Sequence, residues 1–154
     1  MTPAGLPPGW RVDTSWGQAD LDAVHAYLVT AYWCEGIPRA VLERAMAGSL
    51  NFVLRDPPGR LRGYARVVSD RVTFAYLCDV FIDEPLRGQG LGDALIACLI
   101  AAPELQGLRR FCLFTRDAHG LYARHGFTPL AAPDRGMEIV RPGLYLKLQN
   151  GNLA

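Results

Sequence analysis

The sequence predicts a single α/β domain in which seven strands and four helices pack around one hydrophobic core. The chain has 154 residues and half of them are apolar, which is enough to fill a core without disulfides or metal ions. Its apolar residues change repeatedly between a spacing of two and a spacing of three to four, as strands and helices require. Near residue 82 a strand pattern runs into three glycines and then into an apolar helix. Such a strand, tight turn and helix are typical of α/β folds.

The N-terminal elements are a tail, a strand and a helix. Residues 1–8 are rich in proline and glycine and are predicted to form a loose tail, so the domain spans residues 9–149. The first strand covers residues 10–14. Asp20 is expected to cap the first helix. One apolar face of this helix carries Leu21, Val24, Leu28 and Tyr32.

A second helix and three strands come next. Pro38 suits the first turn of the helix, and Gly48 suits its end. Apolar residues then alternate with polar ones, and turn-forming residues separate the segments. The predicted strands cover residues 50–54, 61–69 and 72–82.

The C-terminal half alternates between helices and strands. The three glycines lead into a helix at residues 94–102, and a nearly all-apolar strand follows at residues 110–115. Asp117 is expected to cap a short helix that Gly126 ends. The last two strands are predicted at residues 127–130 and 143–148.

Composition excludes several classes of function. The net charge is +1, so there is no electrostatic case for binding nucleic acid or an anionic membrane. No apolar run is long enough for a membrane span, and the N-terminus lacks the pattern of a signal peptide. The four cysteines have no metal-site spacing, so we expect buried thiols, no metal site and a cytoplasmic location.

The turn at residues 87–92 is the most informative part of the chain. Its glycines are Gly88, Gly90 and Gly92, and each costs roughly 1 kcal/mol relative to alanine in a helical first turn. Backbone amides without nearby Cβ atoms can close around an anion, and the guanidinium of Arg87 suits phosphate oxygens. The pattern therefore favours a phosphate or pyrophosphate site, with close packing of strand and helix as the alternative. It fits neither the Walker A loop nor the dinucleotide-binding fingerprint.

Two motifs resemble the GNAT superfamily of N-acetyltransferases. Arg87, Gly90 and Gly92 satisfy the pattern Arg/Gln-x-x-Gly-x-Gly/Ala, which binds the pyrophosphate of acetyl-CoA in that family. Residues 118–127 match its Ala-x-x-Leu-Tyr-x-x-x-Gly-Phe helix. The resemblance covers residues 72–127 and implies a mixed, mostly antiparallel, twisted sheet with helices on both faces.

The resemblance also implies a set of residues that bind acetyl-CoA. The backbone of Val80, Phe81 and Ile82 would pair with the pantetheine arm like an added strand. Many relatives have an asparagine where this chain has Thr115. The remaining implied cofactor contacts are Arg87, Gly88, Gln89, Gly90, Leu91, Gly92, Asp117, His119 and Tyr122.

Two catalytic roles follow from the same comparison. Tyr122 is at the position of the family tyrosine and would protonate the departing thiolate, the alternative being a packing role. Several relatives have Glu-Asp in the cofactor strand, where this chain has Cys78-Asp79, which leaves Asp79 as the candidate base. Strict alternation directs Asp79 away from the face of Cys78, but a β-bulge would re-aim it. The alternative is a carboxylate tied to a turn or to an arginine such as Arg110 or Arg116.

The acceptor side is expected between the first two helices. Tyr32, Trp33 and Glu35 lie in that connection, and residues near Met137 and Glu138 would complete the pocket, although a packed loop is the alternative. A water could also relay a proton to Asp79 or Glu35. No acidic cluster suggests a polycationic acceptor.

The expected function is acetyl transfer from acetyl-CoA to a primary amine of a small molecule or peptide, by direct attack in a ternary complex. One alternative is a non-catalytic module that binds acyl-CoA, and another is a phosphate-binding protein unrelated to CoA. A homodimer is left open.

Overall fold

The computed structural model describes residues 4–151. The strands are β1 (Arg11–Asp13), β2 (Leu50–Arg55), β3 (Leu61–Ser69), β4 (Phe74–Ile82) and β5 (Arg110–Leu113). The helices are α1 (Gln18–Leu28), α2 (Arg39–Ala47), α3 (Leu91–Ile100), α4 (His119–Ala123) and α5 (Leu144–Gln149). Short 3-10 turns cover Glu84–Leu86, Pro103–Leu105 and Pro133–Arg135. None of these helices is long and apolar enough to cross a membrane.

The strands form one mixed sheet in the order β1-β2-β3-β4-β5. The first four strands are antiparallel neighbours. After β4 the chain crosses over through α3 and returns as β5, which pairs with β4 in parallel. The pairing joins Phe74 with Arg110 at one end and Leu77 with Leu113 at the other, so residues 78–82 of β4 extend beyond β5.

The sheet separates two hydrophobic cores. On one face, α3 and α4 contribute residues such as Leu95, Leu99 and Tyr122 to the core that we call the cofactor-side core. On the other face, α1 and α2 contribute residues such as Leu28 and Leu42 to the acceptor-side core. Helices therefore cover both faces, as the sequence analysis predicts.

The predicted number of strands and helices is wrong. Between residues 4 and 151 the structure has five strands and five helices, not seven strands and four helices. Residues 127–130 are not a strand: Phe127 packs edge-on against Phe111, and Pro129 has no amide for a sheet. Residues 144–149 form a helix instead of a strand. Tyr145 and Leu148 are the less exposed residues of this segment, and their spacing of three places them on one side of a helix but on opposite sides of a strand.

The structure also corrects two predicted helix caps. Gly17, not Asp20, is the N-cap of α1. Asp20 lies inside the helix, where it accepts a hydrogen bond from the amide of Gly17 and binds Arg55 through both carboxylate oxygens. Ala118, not Asp117, is the N-cap of α4, and its amide donates to the hydroxyl of Thr115.

Candidate active site

The glycine turn (residues 87–92) presents its backbone to open space. Gly88 and Gly90 have φ values of 78° and 80°, a conformation that favours glycine. A Cβ atom on either residue would meet nothing within 4 Å, so close packing inside the protein does not explain these two glycines. At Gly92 a Cβ atom would make only ordinary contacts with Ile82 and Leu121. The turn therefore leaves room for a group from outside to approach the start of α3.

A cavity of about 230 Å³ lies in front of this turn. Arg87 donates to the hydroxyl of Tyr27 and to the carbonyl of Ile82, and it makes no ion pair with any carboxylate of residues 4–151. Arg124 also lines the cavity, but Asp93 binds it at 2.9 Å. The cavity thus combines free amides of a helix start with a guanidinium that has no counter-ion, which suits a pyrophosphate. Its lining residues are Ile82, Leu86, Arg87, Gly88, Gly90, Leu91, Gly92, Asp93, Leu121 and Arg124.

A β-bulge interrupts β4 at Asp79. Tyr64 is paired with Phe81 and Arg66 with Cys78, so Asp79 and Val80 together face a single residue of β3. Asp79 has a φ of 54°, which is uncommon for a residue other than glycine and is often associated with a functional site. Beyond the bulge, β5 no longer pairs with β4. Residues 80–82 therefore have an open edge where an extended ligand can pair with the backbone.

The bulge brings the carboxylate of Asp79 to the acceptor side of the sheet. Asp79 is buried, and it accepts hydrogen bonds from Nε of Arg66 at 2.7 Å and from the indole Nε1 of Trp33 at 2.9 Å. Its partner is therefore Arg66, not the Arg110 or Arg116 considered from the sequence. Arg66 also donates to the hydroxyl of Ser49. The sequence analysis did not single out Arg66, which is one of two arginines in β3.

Aromatic residues of the connection between α1 and α2 extend this network to the surface. The rings of Tyr32 and Trp33 meet edge-on with centroids 5.0 Å apart. The guanidinium of Arg116 lies 3.9 Å above the ring of Tyr32. Both aromatic side chains remain exposed. An aromatic wall with one buried carboxylate behind it is thus open to solvent.

Tyr122 is next in the chain to a residue of the cavity and is close enough to Tyr32 of the aromatic wall to interact with it electrostatically. It is only 8% exposed and packs against Phe127, while its neighbour Leu121 lines the cavity. Burial, with a smaller contribution from the nearby hydroxyl of Tyr32, raises the pKa of Tyr122 to about 12. Its hydroxyl has no hydrogen-bond partner among residues 4–151, yet the atom is not enclosed by protein. It therefore points into accessible space, free to bind a ligand.

Residues 47–129, more than half of the chain, match the acetyltransferase (GNAT) domain. The chain belongs to the GNAT acetyltransferase family. No curated protein matches it.

Solved structures agree with this membership. A structure from Xanthomonas campestris pv. campestris, described as an acetyltransferase belonging to the GNAT family, is 47% identical, with 90% of this chain and 97% of that chain covered and a TM-score of 0.84. The GNAT family N-acetyltransferase YhbS from Escherichia coli, solved in complex with CoA, is 21% identical, with 77% and 68% covered and a TM-score of 0.61. Glucosamine-6-phosphate N-acetyltransferase from Arabidopsis thaliana is 12% identical, with 86% and 97% covered and a TM-score of 0.60. At such identities the last two show the fold alone.

Other residues that the GNAT resemblance implies lie at the surface. Asp117 and His119 are exposed at the start of α4, and Asp117 is 4.0 Å from Arg116. Gln89 is exposed and directs its amide to the carbonyl of Pro85 at 3.5 Å. Glu35 is exposed and makes no hydrogen bond or ion pair within residues 4–151. The backbone of its neighbour Gly36 is held by Gln149 of α5.

Cys78 cannot replace the glutamate that several GNAT relatives have at this position. Burial, together with the nearby carboxylate of Asp79, raises the pKa of the Cys78 thiol to about 12. The same two causes raise the pKa of Cys34 to about 12. Both thiols stay protonated at neutral pH, so neither can accept a proton in place of the missing glutamate.

Proposed function

We propose that the protein transfers an acetyl group from acetyl-CoA to a primary amine of a small molecule or peptide, by direct attack in a ternary complex. Membership of the GNAT acetyltransferase family supports acyl transfer. The observation that carries the proposal is the accessible hydroxyl of Tyr122, which follows Leu121 of the glycine-turn cavity and is close to Tyr32 of the aromatic wall. The four cysteines are free thiols, which supports a cytoplasmic setting.

The residues present fit acetyl-CoA. The glycine turn and Arg87 would hold the pyrophosphate, with the amides of Leu91 and Gly92 at the helix start. The open edge of residues 80–82 would pair with the pantetheine amides, as in recognition by an added strand. Gln89, Asp117 and His119 would contact the exposed parts of the cofactor. When bound, acetyl-CoA supplies the activated thioester.

Tyr122 would act as the acid that protonates the departing thiolate. Its pKa of about 12 keeps the hydroxyl protonated throughout the physiological range. A thiol has a pKa near 8.5, so proton transfer from this tyrosine is uphill by roughly 5 kcal/mol in isolation, at ~1.36 kcal/mol per unit. Enforced proximity can offset more than that amount. The absence of a protein partner for the hydroxyl, among residues 4–151, leaves its proton available for this donation.

Asp79 and the aromatic wall would receive the amine. A lysine-like amine with a pKa of ~10.4 lies about 4.6 kcal/mol from neutrality at pH 7. Each oxygen of Asp79 is bound by one protein donor and keeps a lone pair for the amine or for a relaying water. Tyr32 and Trp33 provide an apolar surface that lowers the cost of losing the charge. Glu35 would attract the protonated amine from solution.

The test is an acetyl-CoA assay against a panel of small amines and peptides with free amino groups. Release of free thiol that depends on the acceptor, together with a mass gain of one acetyl group on that acceptor, supports the proposal. Tight binding of acetyl-CoA without turnover of any acceptor would select the non-catalytic acyl-CoA-binding module instead. Isothermal calorimetry on the same sample separates that result from a failure to bind.

A further inference from the structure

The guanidinium of Arg116 is held in place without using its hydrogen-bond donors. It lies 3.9 Å above the ring of Tyr32, so the flat face of the group is in contact with the protein. A carboxylate oxygen of Asp117 lies 4.0 Å from one of its nitrogens, which is beyond hydrogen-bonding distance. The Arg116 side chain makes no hydrogen bond within residues 4–151. The edge of the guanidinium can therefore bind an anion through two parallel hydrogen bonds.

Arg116 lies near the point where β4 and β5 separate. Leu113 is the last residue of β5 that pairs with β4. Beyond this pair, β4 continues to Asp79, whereas the chain after β5 continues through Arg116 to Tyr122 of α4. Through Tyr32, Arg116 also contacts the connection between α1 and α2. The guanidinium is thus a neighbour of the three segments that form the acceptor side of the site.

Three contacts connect Arg116 with Asp79. The guanidinium lies on Tyr32, the ring of Tyr32 is 5.0 Å from that of Trp33, and the indole of Trp33 donates to Asp79 at 2.9 Å. A cation at the outer rim and a buried carboxylate are thus separated by two aromatic rings. Met137, expected from the sequence beside this wall, is 99% exposed and does not cover it. An acceptor whose amine reaches Asp79 would extend along these rings towards Arg116.

Neighbouring carboxylates do not neutralise Arg116. Asp79 already forms an ion pair with Arg66 at 2.7 Å, and both side chains are largely buried. Glu138, which the sequence analysis placed near the pocket, is exposed and makes no ion pair within residues 4–151. Glu35 is likewise exposed and unpaired in this part of the chain. The rim of the wall therefore offers a positive group that an anion can bind.

We propose that the acceptor is a small amine that also carries a carboxylate or phosphate group, separated from the amine by an apolar body, and that Arg116 binds this anion. The inference rests on the proposed acetyl transfer, since it names the acceptor of that reaction. The amine lies at Asp79, the apolar body lies on Trp33 and the anion binds the edge of the guanidinium. Because stacking on Tyr32 already fixes Arg116, less side-chain freedom is lost when the anion binds. The same guanidinium disfavours diamines, which would bring a second positive charge to this end.

Binding of matched amines tests the inference without turnover. One pair is benzylamine and para-carboxybenzylamine, and the other is propylamine and aminopropylphosphonate, in which the phosphonate represents a phosphate. NMR titrations follow the indole N–H signal of Trp33, which is assigned by its loss in Trp33→Phe. CoA is present throughout, to keep the anions from the glycine turn. The carboxylate, the phosphonate or both should increase affinity at least about fivefold over the matched amine, and the pair that responds identifies the anion.

Two arginine variants show whether Arg116 causes the preference. Arg116→Gln removes the charge from an exposed side chain, so the fold should not change and the two members of each pair should bind equally. The matched control Arg110→Gln removes the same charge from an exposed residue at the other end of β5 and should keep the preference. Equal affinities within both pairs for the wild type would overturn the inference. So would a preference that Arg116→Gln retains or that Arg110→Gln also abolishes.

Turnover separates this inference from the proposed function. A higher kcat/KM for an anionic amine than for its partner, lost in Arg116→Gln, supports both. Equal acetylation of the two members of each pair would leave acetyl transfer in place and contradict the role of Arg116. Preferential binding of an anionic amine without acetylation of any amine would support the anion site and contradict acetyl transfer.

Discussion

The hydroxyl of Tyr122 can be removed without breaking any hydrogen bond within residues 4–151. In Tyr122→Phe the ring should stay packed against Phe127, and we expect the free energy of unfolding to change by less than about 0.5 kcal/mol. If the hydroxyl donates the proton to the thiolate, kcat should fall by roughly 10²–10⁴, equal to about 3–5 kcal/mol of transition-state stabilisation. The Kd for acetyl-CoA should remain near that of the wild type. Steady-state kinetics and calorimetry measure the two quantities separately.

The pH dependence of stability provides a second measurement on the same variant. The pKa of Tyr122 is raised from 10 to about 12 in the folded protein. The folded state therefore prefers the protonated tyrosine, and this contribution is complete below pH 10 and is lost as the pH rises from 10 to 12. Denaturant unfolding at pH 11 should show that the wild type has lost about 1 kcal/mol more than Tyr122→Phe.

Tyr64→Phe is the matched control. Its hydroxyl is buried and donates to the side-chain oxygen of Asn51 at 2.5 Å, so its removal should destabilise the fold by about 1–3 kcal/mol. Its kcat should be unchanged because Tyr64 is fully buried and cannot contact a substrate. The role of Tyr122 as acid is refuted if Tyr122→Phe retains a kcat within a few-fold of the wild type at saturating substrates.

The other predictions concern the cofactor turn, the acceptor loop and the bulge. Acetyl-CoA at a hundred times its Kd should stabilise the wild type by about 2.7 kcal/mol, which a thermal shift assay detects. Gly90→Asp should abolish the shift. The control Gly107→Asp, at a left-handed glycine outside the cavity, should keep it. Glu35→Gln should raise KM for the acceptor and leave KM for acetyl-CoA unchanged, so parallel changes in both constants would move the acceptor site elsewhere. In Asp79→Asn the asparagine tolerates the same φ and can still accept a hydrogen bond from Arg66. The variant should have a normal circular dichroism spectrum and a kcat/KM for the acceptor that is lower by at least ~10²-fold. Normal turnover would mean that Asp79 has a structural role.

Local sequence signals predicted the elements that depend on local interactions. Leu21, Val24 and Leu28 share one face of α1 because helical geometry alone places residues three and four apart together, and all three are buried. The glycine turn could also be predicted from the sequence. Gly90 has a left-handed backbone conformation that few other residues adopt without strain. The residues proposed to bind acetyl-CoA come almost entirely from one continuous segment.

Features that depend on distant neighbours were not predicted. Leu144, Leu146 and Leu148 alternate like a strand, but a strand needs a neighbour, and α5 instead packs Tyr145 against the acceptor-side core. The contact of Asp79 with Arg66 depends on a bulge that shifts the register of β3 and β4. From the sequence, a bulge that re-aims Asp79 was one of two alternatives, the other being a carboxylate tied to a turn or to an arginine.

The division of the interior by the sheet has a consequence for how this protein can change. The cofactor-side core and the acceptor-side core share no buried side chain, because each strand residue belongs to one face only. Stability effects of substitutions on opposite faces, well separated and without common partners, should therefore add. Substitutions in the layer of α1 and α2 can therefore accumulate while the layer of α3 and α4 keeps its packing. Under the proposed function, the preference for an acceptor could thus change without altering the layer that would bind acetyl-CoA.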